Sequence, residues 1–437
     1  MDQQIHRAYK TKVRPTRNQE QYLKQCGRVA RTVFNWVLAD YMADYRQWHM
    51  QYSQAKEAGL IPDKVTKSDW PLIQKACADA GIVLSMKPQP AGRVARKKRL
   101  NVEKKRDTRL QFVTKYPYVI LESAIDHFDA AMRRYNDKKK DGSVARKIAE
   151  RMDSIKHKRR YAKMKEKGRV GEQLDPYFPR FKRRDDDCSF TLRGSIHIER
   201  NRIKLPVIGW VRLAESDYLP NNPIKLSEAT ISFDGNDWFL SVSCVVQVKQ
   251  PELQPITLGV SVGVMDLVAT STGAVYENPR VLAQNERKKT RLQRELSRRT
   301  VRGANWKKTK VKLARLESKI ASVRAHHQHN TSRWIVDTQP ETIVLKKMNV
   351  QEMMSDNPAA KYLSDAGMGE LTRQIAYKAE WNGTKVVGAT GVIYCSRCKS
   401  ESIKVSYATR MMSCGACGHT MRASVNTAMN LSEVEHA

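Results

Sequence analysis

Two cysteine pairs near the end of the chain place the tightest demand on its fold. Cys395-Ser-Arg-Cys398 is followed, fifteen residues on, by Cys414-Gly-Ala-Cys417. Each C-x-x-C turn aims two thiolates at one point, and two such turns together satisfy a tetrahedral ion. Four thiolates close the coordination sphere, so the ion expected here is a structural Zn2+ with no open position for a substrate. Residues 390–422 are therefore expected to fold as a zinc ribbon, with Gly415 and Gly418 permitting the tight turn. The other four cysteines, Cys26, Cys77, Cys188 and Cys244, are dispersed singly. In a reducing compartment they read as small buried side chains.

Charge narrows the partner. The 437 residues carry 79 Lys+Arg against 45 Asp+Glu, a formal net charge of +34, while 41% apolar residues keep the chain in the globular class. Such an imbalance costs self-repulsion unless a polyanion neutralises it. Nucleic acid is that polyanion, and this much charge suits a long stretch of backbone. No apolar run near 18 residues and no basic amphipathic anchor supports a membrane partner. Nothing in the chain suggests a small-molecule substrate. Met1–Lys10 lacks the apolar core of a signal peptide, so the expected location is the cytoplasm, at the nucleoid when DNA is bound.

Periodicity divides the chain. Residues 5–14 alternate apolar and basic, a strand with Lys10, Lys12 and Arg14 on its cationic face. A helix is expected over 18–48, with Leu23, Val29, Val33, Val37 and Tyr41 on one side and Thr16 or Asn18 as its cap. Pro62 and Pro71 mark a break. A second helix over 117–137 presents Ile120, Ala124, Phe128, Ala131 and Tyr135 at helical spacing. The basic runs 87–109 and 138–169 read as solvated helices or loops, available to phosphates or simply a charged surface. From 188 to 250 the pattern becomes strands, with hairpin turns at Arg200-Asn201 and Asp234-Gly-Asn-Asp237. These form a small antiparallel barrel that the first strand can join, the helices being inserted between. After a Pro-flanked linker, 249–255, come a buried strand (256–263), a hairpin at Ser271-Thr-Gly273 and a basic helical region (281–336) interrupted near Gly303. Arg287, Lys288, Arg291, Arg294, Arg298 and Arg299 lie on one side of its first half. A strand at 342–346, a helix at 369–382 and a strand at 384–389 follow. The fold class is α+β multidomain, ending in an α/β layer.

Several short segments, in this order, resemble the TnpB family of transposon-encoded RNA-guided nucleases, relatives of the small type V CRISPR effectors. They include Val33-Phe-Asn-Trp36, Phe178-Pro-Arg-Phe-Lys182, Ile203-Lys-Leu-Pro-Val-Ile-Gly-Trp-Val-Arg212, Ser364-Asp-Ala-Gly-Met-Gly-Glu370, Tyr377-Lys-Ala-Glu-Trp381 and Val425-Asn-Thr-Ala428. The resemblance implies an OB-like wedge β-barrel (1–16 and 186–250), an inserted helical recognition lobe (17–185) and a RuvC-like, RNase H-type domain (256–437) containing the ribbon. It implies a guide RNA and a double-stranded DNA target as partners. Active members place Asp, Glu and Asp where hard oxygens hold two Mg2+ ions about 3.5–4 Å apart. This chain aligns Ser261, Lys346 and Ser424 with those positions. It therefore resembles the nuclease-dead TnpB-like repressors, with no catalytic Mg2+ expected.

The resemblance also suggests contacts. Lys10, Lys12, Arg14, the run Arg180, Lys182, Arg183 and Arg184, and Arg287, Lys288, Arg291, Arg294 and Arg298 are candidates for nucleic-acid backbone. Tyr118, Thr191 and Arg193 are candidates for reading a short flanking motif. Two alternatives stay open: a nuclease whose ligands have moved to Asp266, Asp365, Glu370 or Glu380, and a regulator that grips DNA without RNA.

Overall fold

The computed structural model describes residues 2–62, 65–66, 68–85, 87, 92–152, 155–183, 188–220, 223–349, 353, 360–389, 394–406 and 408–434. The chain forms two compact units: Arg7–Cys244, and Met1–His6 together with Val245–Ala437.

β1 (Asp2–Arg14), whose residues from Arg7 on belong to the first unit, leads into α1 (Arg17–Glu57). Thr16 caps α1 in a capping box: its hydroxyl accepts from the Gln19 N–H, and the Gln19 side chain accepts from the Thr16 N–H. The helix runs past the expected end at 48 because its apolar stripe continues through Trp48 and Ala55. Gly59, at φ 73°, then turns the chain. Next come α2 (Trp70–Asp79), opened by Pro71 in its first turn, α3 (Arg93–Arg106), α4 (Thr108–Gln111), α5 (Tyr118–Lys140), α6 (Ser143–Met152) and α7 (Ile155–Glu166). α1 and α5 share the core, with Phe128 edge-on to Phe34 at 6.2 Å and near Tyr41 at 6.1 Å. On α5, Met132 is buried while the expected Ala131 is only half-buried. Phe178 packs against Tyr41 and Tyr135 and is core.

The strands β2 (Cys188–Leu192), β3 (His197–Glu199), β4 (Arg202–Leu205), β5 (Gly209–Leu213), β6 (Lys225–Phe233) and β7 (Trp238–Lys249) join β1 in one sheet of order β2-β6-β7-β1-β5-β4-β3. β1 lies between β7 and β5, so the first strand completes a sheet whose other members come after the helices. The expected barrel is not closed: among the described residues the ladder ends at β2 and β3. β3 is only three residues long, a poor edge on which to close a ladder.

The second unit is built on β8 (Gln254–Val262), β9 (Asp266–Thr270), β10 (Val275–Glu277), β11 (Pro340–Lys346) and β12 (Lys385–Ala389), in the order β10-β9-β8-β11-β12. β8, β11 and β12 are parallel and β9 alone runs against its neighbours. The helices are α8 (Val281–Arg298), α9 (Ala304–Val336), α10 (Ala360–Ala366), α11 (Met368–Asn382) and α12 (Ala423–Ser432). Leu258, Val260, Ile343 and Leu345 on one face of the sheet pack with Ile335, Leu371 and Ile375 of α9 and α11. Val344 and Ala389 on the other face meet Leu431 of α12. This is a mixed RNase H-type sheet covered on both faces. A small antiparallel sheet of β13 (Ile403–Ser406), β14 (Met411–Cys414) and β15 (Thr420–Arg422) carries the cysteines. Among the described residues no helix is long and apolar enough to cross a membrane.

Candidate functional site

The four cysteines converge. Cys395, Cys398, Cys414 and Cys417 place their sulfurs within 4.8 Å of one another. Cys395 and Cys417 are 3.8 Å apart, and Cys398 and Cys414 3.5 Å. A tetrahedron with metal–sulfur bonds of about 2.3 Å has edges of about 3.8 Å, so the donor set fits a thiolate-bound metal. Lys399, at φ 59°, turns the first knuckle, and Gly418, at φ 69°, turns the second. Gly415 serves a different need: a Cβ there would lie 2.7 Å from the Ser402 hydroxyl. Backbone N–H groups of Cys417 and Ala416, with the Cys398 side chain, lower the Cys414 thiol to about 6, which favours the ligating thiolate.

The three positions aligned with catalytic acids gather on one face of the five-stranded sheet. Gly259 and Ser261 point to the same side of β8 by the two-residue repeat. α12 presses directly on that side: a Cβ at Gly259 would lie 1.9 Å from the Ala428 carbonyl oxygen. Register pairs Val344 with Gly259 and Leu345 with Val260. One step further, Lys346, still paired with Ala389, comes level with Ser261. Ser424 stands in the first turn of α12, above the same strand ends. Ser261 and Lys346 are thus neighbours on β8 and β11, and Ser424 opens the helix packed on that face, its hydroxyl donating to Asp266.

Three of the four alternative acids are already engaged. Asp266 is 5% exposed and accepts from Arg410 Nη1 at 2.9 Å, Arg422 Nη2 at 2.7 Å, Arg422 Nε at 3.0 Å and Ser424 Oγ at 2.7 Å. Burial alone would raise its pKa, but Arg422, Ser424 and Arg410 outweigh that and lower it. Asp365 is buried and accepts from the Leu282 N–H at the start of α8, 3.0 Å away. Glu370 is held by Arg373 and Gln374, which bring it to about 2 against a smaller opposing effect of burial. Glu380 lies exposed on α11. Among the described residues the cysteine cluster is the one group of three or more His, Cys, Asp and Glu side chains placed to share an ion. Sequence reasoning did not find Arg410 and Arg422, which lie 144 and 156 positions from Asp266. No local signal connects them.

The cationic candidates divide by what they touch. On α8, Arg287, Arg291, Arg294 and Arg298 line one groove with Glu286, Glu295 and Arg299. Glu286 pairs with Lys361 and Glu295 with Arg299, which leaves those four arginines without a carboxylate partner among the described residues. Lys288 is exposed but lies outside that groove. The run at 87–109 behaves differently. Arg93 pairs with Asp126, Arg96 with Asp129, Lys97 with Glu122 and Arg99 with Asp40. Much of its charge is thus paired with acids of α1 and α5. On β1, Lys10 stands over the Phe239 ring, Lys12 pairs with Asp237 at 2.7 Å and Arg14 is exposed.

Beyond Phe178, Lys182 lies over the Phe34 ring while its backbone is held by Asn35. Arg180 and Arg183 are exposed, and Arg184 lies outside the described residues. Thr191 is 6% exposed, bonded through its N–H to Ser123 and through its hydroxyl to Thr230. β2 turns it toward the core. Arg193 is tied to Asp126 and Glu228. Tyr118 is exposed, with Lys97 and Lys104 near its ring.

A mixed five-stranded sheet covered on both faces, a four-cysteine ribbon and an arginine groove without carboxylate partners among the described residues define a two-unit α+β protein. Residues 241–356 match the OrfB_IS605 profile, described as a probable transposase, residues 1–49 the OrfB_IS605 helix-turn-helix domain, and residues 369–431 the Cas12f1-like TNB domain. The putative RNA-guided DNA endonuclease InsQ of Escherichia coli K12 is 30% identical over 281 residues, 60% of this chain and 69% of that protein. A putative RNA-guided DNA endonuclease of Streptomyces pristinaespiralis is 28% identical, over 46% of this chain and 51% of that one. The CRISPR-associated endodeoxyribonuclease Cas12f1 of Sulfoacidibacillus thermotolerans is 27% identical, over 49% and 55%. The solved Cas12f1–sgRNA–target DNA complex aligns over 98% of this chain and 99% of that one, at 12% identity and a TM-score of 0.32. The chain belongs to the TnpB/IS605 OrfB family. Over the stretch matched as helix-turn-helix, it folds as one strand and the first part of a single uninterrupted helix.

Proposed function

We propose that this protein binds DNA at sites chosen by a guide RNA and does not cut them. The observation that carries the reading is the set Ser261, Lys346 and Ser424 on one face of the RNase H-type sheet. A two-metal nuclease needs anionic oxygens to recruit its ions. Two hydroxyls bring no charge, and the Lys346 ammonium repels divalent cations while supplying a tethered positive charge of its own. Asp266, Asp365 and Glu370 are committed to arginine or backbone partners, which disfavours relocated catalysis at those three.

On this reading base pairing between guide and target strand supplies sequence specificity, while the protein reads a short flanking motif and the shape of the heteroduplex. R-loop formation is nearly balanced in energy, so contacts to the backbone can hold it open without chemistry. The α8 arginines are the first candidates for those contacts, by bidentate bonding to phosphates. The seven-stranded sheet serves as the wedge and the helices of residues 17–185 as the recognition lobe, with Tyr118 and Arg193 near the flanking motif. The ribbon's metal is Zn2+, which suits four thiolates in a closed site. A stable R-loop over a promoter blocks polymerase, so the role in the cell is transcriptional repression, in the cytoplasm at the nucleoid.

The test is direct. Protein purified with its co-purifying RNA is offered a duplex matching that RNA, with Mg2+. A retarded, intact duplex is expected, and specific strand scission overturns the reading. Absence of any discrete RNA favours a regulator that grips duplex unaided.

A further inference from the structure

One buried carboxylate joins three elements that are far apart in sequence. Asp266 opens β9. Arg410 immediately precedes β14, and Arg422 ends β15, so both guanidiniums come from the foot of the ribbon, away from Cys414. Met411 and Arg422 are paired across the ribbon's ladder, and the Ala423 N–H donates to the Arg410 carbonyl, which fixes the two arginines side by side. Ser424 brings its hydroxyl from the first turn of α12, where the helix's exposed N–H groups favour an anion. A carboxylate 5% exposed would be costly without such partners.

We propose that Asp266, Arg410, Arg422 and Ser424 form a clasp that holds the foot of the ribbon against the five-stranded sheet, and that a serine at 424 lets it close. The Ser424 hydroxyl reaches Asp266 Oδ2 at 2.7 Å. An aspartate at 424 would set a second carboxylate against the first at nearly that distance. Two carboxylates so close cannot both stay ionised. An acid at this position would therefore compete with Asp266 for Arg410 and Arg422 and weaken the clasp. Loss of the acid did more than remove a metal ligand: it opened a place for a metal-independent brace. Arg410 and Arg422 also reach the exposed Glu277 at 3.5 and 3.4 Å, which reinforces the foot only at its solvent edge. The brace stands on this geometry. Its bearing on the lost nuclease rests on the reading proposed above.

The test is amide hydrogen exchange on the full-length chain, followed by mass spectrometry. In S424D, amides of Met411–Cys414 and Thr420–Arg422 are expected to exchange at least tenfold faster than in the native protein, while those of Arg7–Cys244 are unchanged. S424N matches the size of Asp without its charge, and S424T keeps the hydroxyl. Both are expected to retain native protection. D266N removes the anion that Arg410 and Arg422 grip and is expected to expose the same amides, which links the loss to this contact. Native ribbon protection in S424D or in D266N overturns the clasp. Cleavage plays no part in this readout, so a protein that proved to cut DNA would leave the clasp standing or falling on its own result.

Discussion

The arginine groove on α8 makes a quantitative prediction. Arg287, Arg291, Arg294 and Arg298 follow an i, i+4, i+7, i+11 spacing, so they form one stripe about 16 Å long. None has a carboxylate partner among the described residues, so replacing all four with alanine breaks no ion pair there. If each neutralises one phosphate, the four together release counterions worth a slope of roughly 3 in log K against log salt, at about 0.7 to 0.9 per contact. Between 50 and 200 mM salt their share of affinity falls roughly 50- to 150-fold. The quadruple variant should therefore bind the co-purifying RNA more weakly at low salt and lose that much less affinity across the range. The assay is a salt titration of binding by fluorescence anisotropy. Arg93→Ala with Arg99→Ala is the control, because both side chains already face Asp126 and Asp40. That pair should change the slope by less than about one. An unchanged slope in the quadruple variant, or an equal change in the control, refutes the distinction between unpaired and paired arginines.

Gly259→Ala puts a methyl against the backbone of α12, 1.9 Å from the Ala428 oxygen and 2.7 Å from the Ser432 nitrogen, and neither can swing aside. A loss of about 3 kcal/mol or more is expected in denaturant unfolding, and a loss under about 0.5 would show that the helix is not seated there. Metal analysis should find one zinc per chain. Stripping it with a chelator, or Cys414→Ser, should remove exchange protection from β13–β15 while the α1–α5 core keeps its own, since a ribbon this small has little apolar core to fold on. Burial, with Lys182 near His127 and Lys378 near His329, lowers the pKa of both histidines. The unfolded chain then binds more protons below about pH 6.5, so these groups add stability above that pH and lose it as pH falls. Thermal midpoints measured from pH 7 to 5 should drop, and His127→Asn with His329→Asn should flatten the drop.

Much was legible along the chain because its signals are local. The Cys395–Cys417 spacing announced a four-thiolate site whose sulfurs do converge. Two-residue alternation located the strands, and the stripe Leu23, Val29, Val33, Val37 and Tyr41 located a helix that buries all five. The limits lay where a pattern continued or where partners were remote. Nothing before residue 48 said that Trp48 and Ala55 would extend α1 to Glu57. Basic runs look alike in sequence, yet α3 spends its charge on acids of α1 and α5 while the α8 stripe keeps its own. Nothing in the sequence placed Ser123 and Thr230 beside Thr191, where they take up its polar groups.

The sequence by itself determined the identity of the groups: four thiolates at metal-ligand spacing, a large cationic excess, and serine, lysine and serine at the positions aligned with acids. Tertiary structure alone decided which charges are available. Asp266 is an ordinary acid on the page and a buried anchor in the fold, because Arg410 and Arg422 reach it across more than a hundred residues. The physical reason is range. Backbone periodicity and turn chemistry act between near neighbours, whereas the energy of a charge depends on burial and on whatever packing brings within about 4 Å of it.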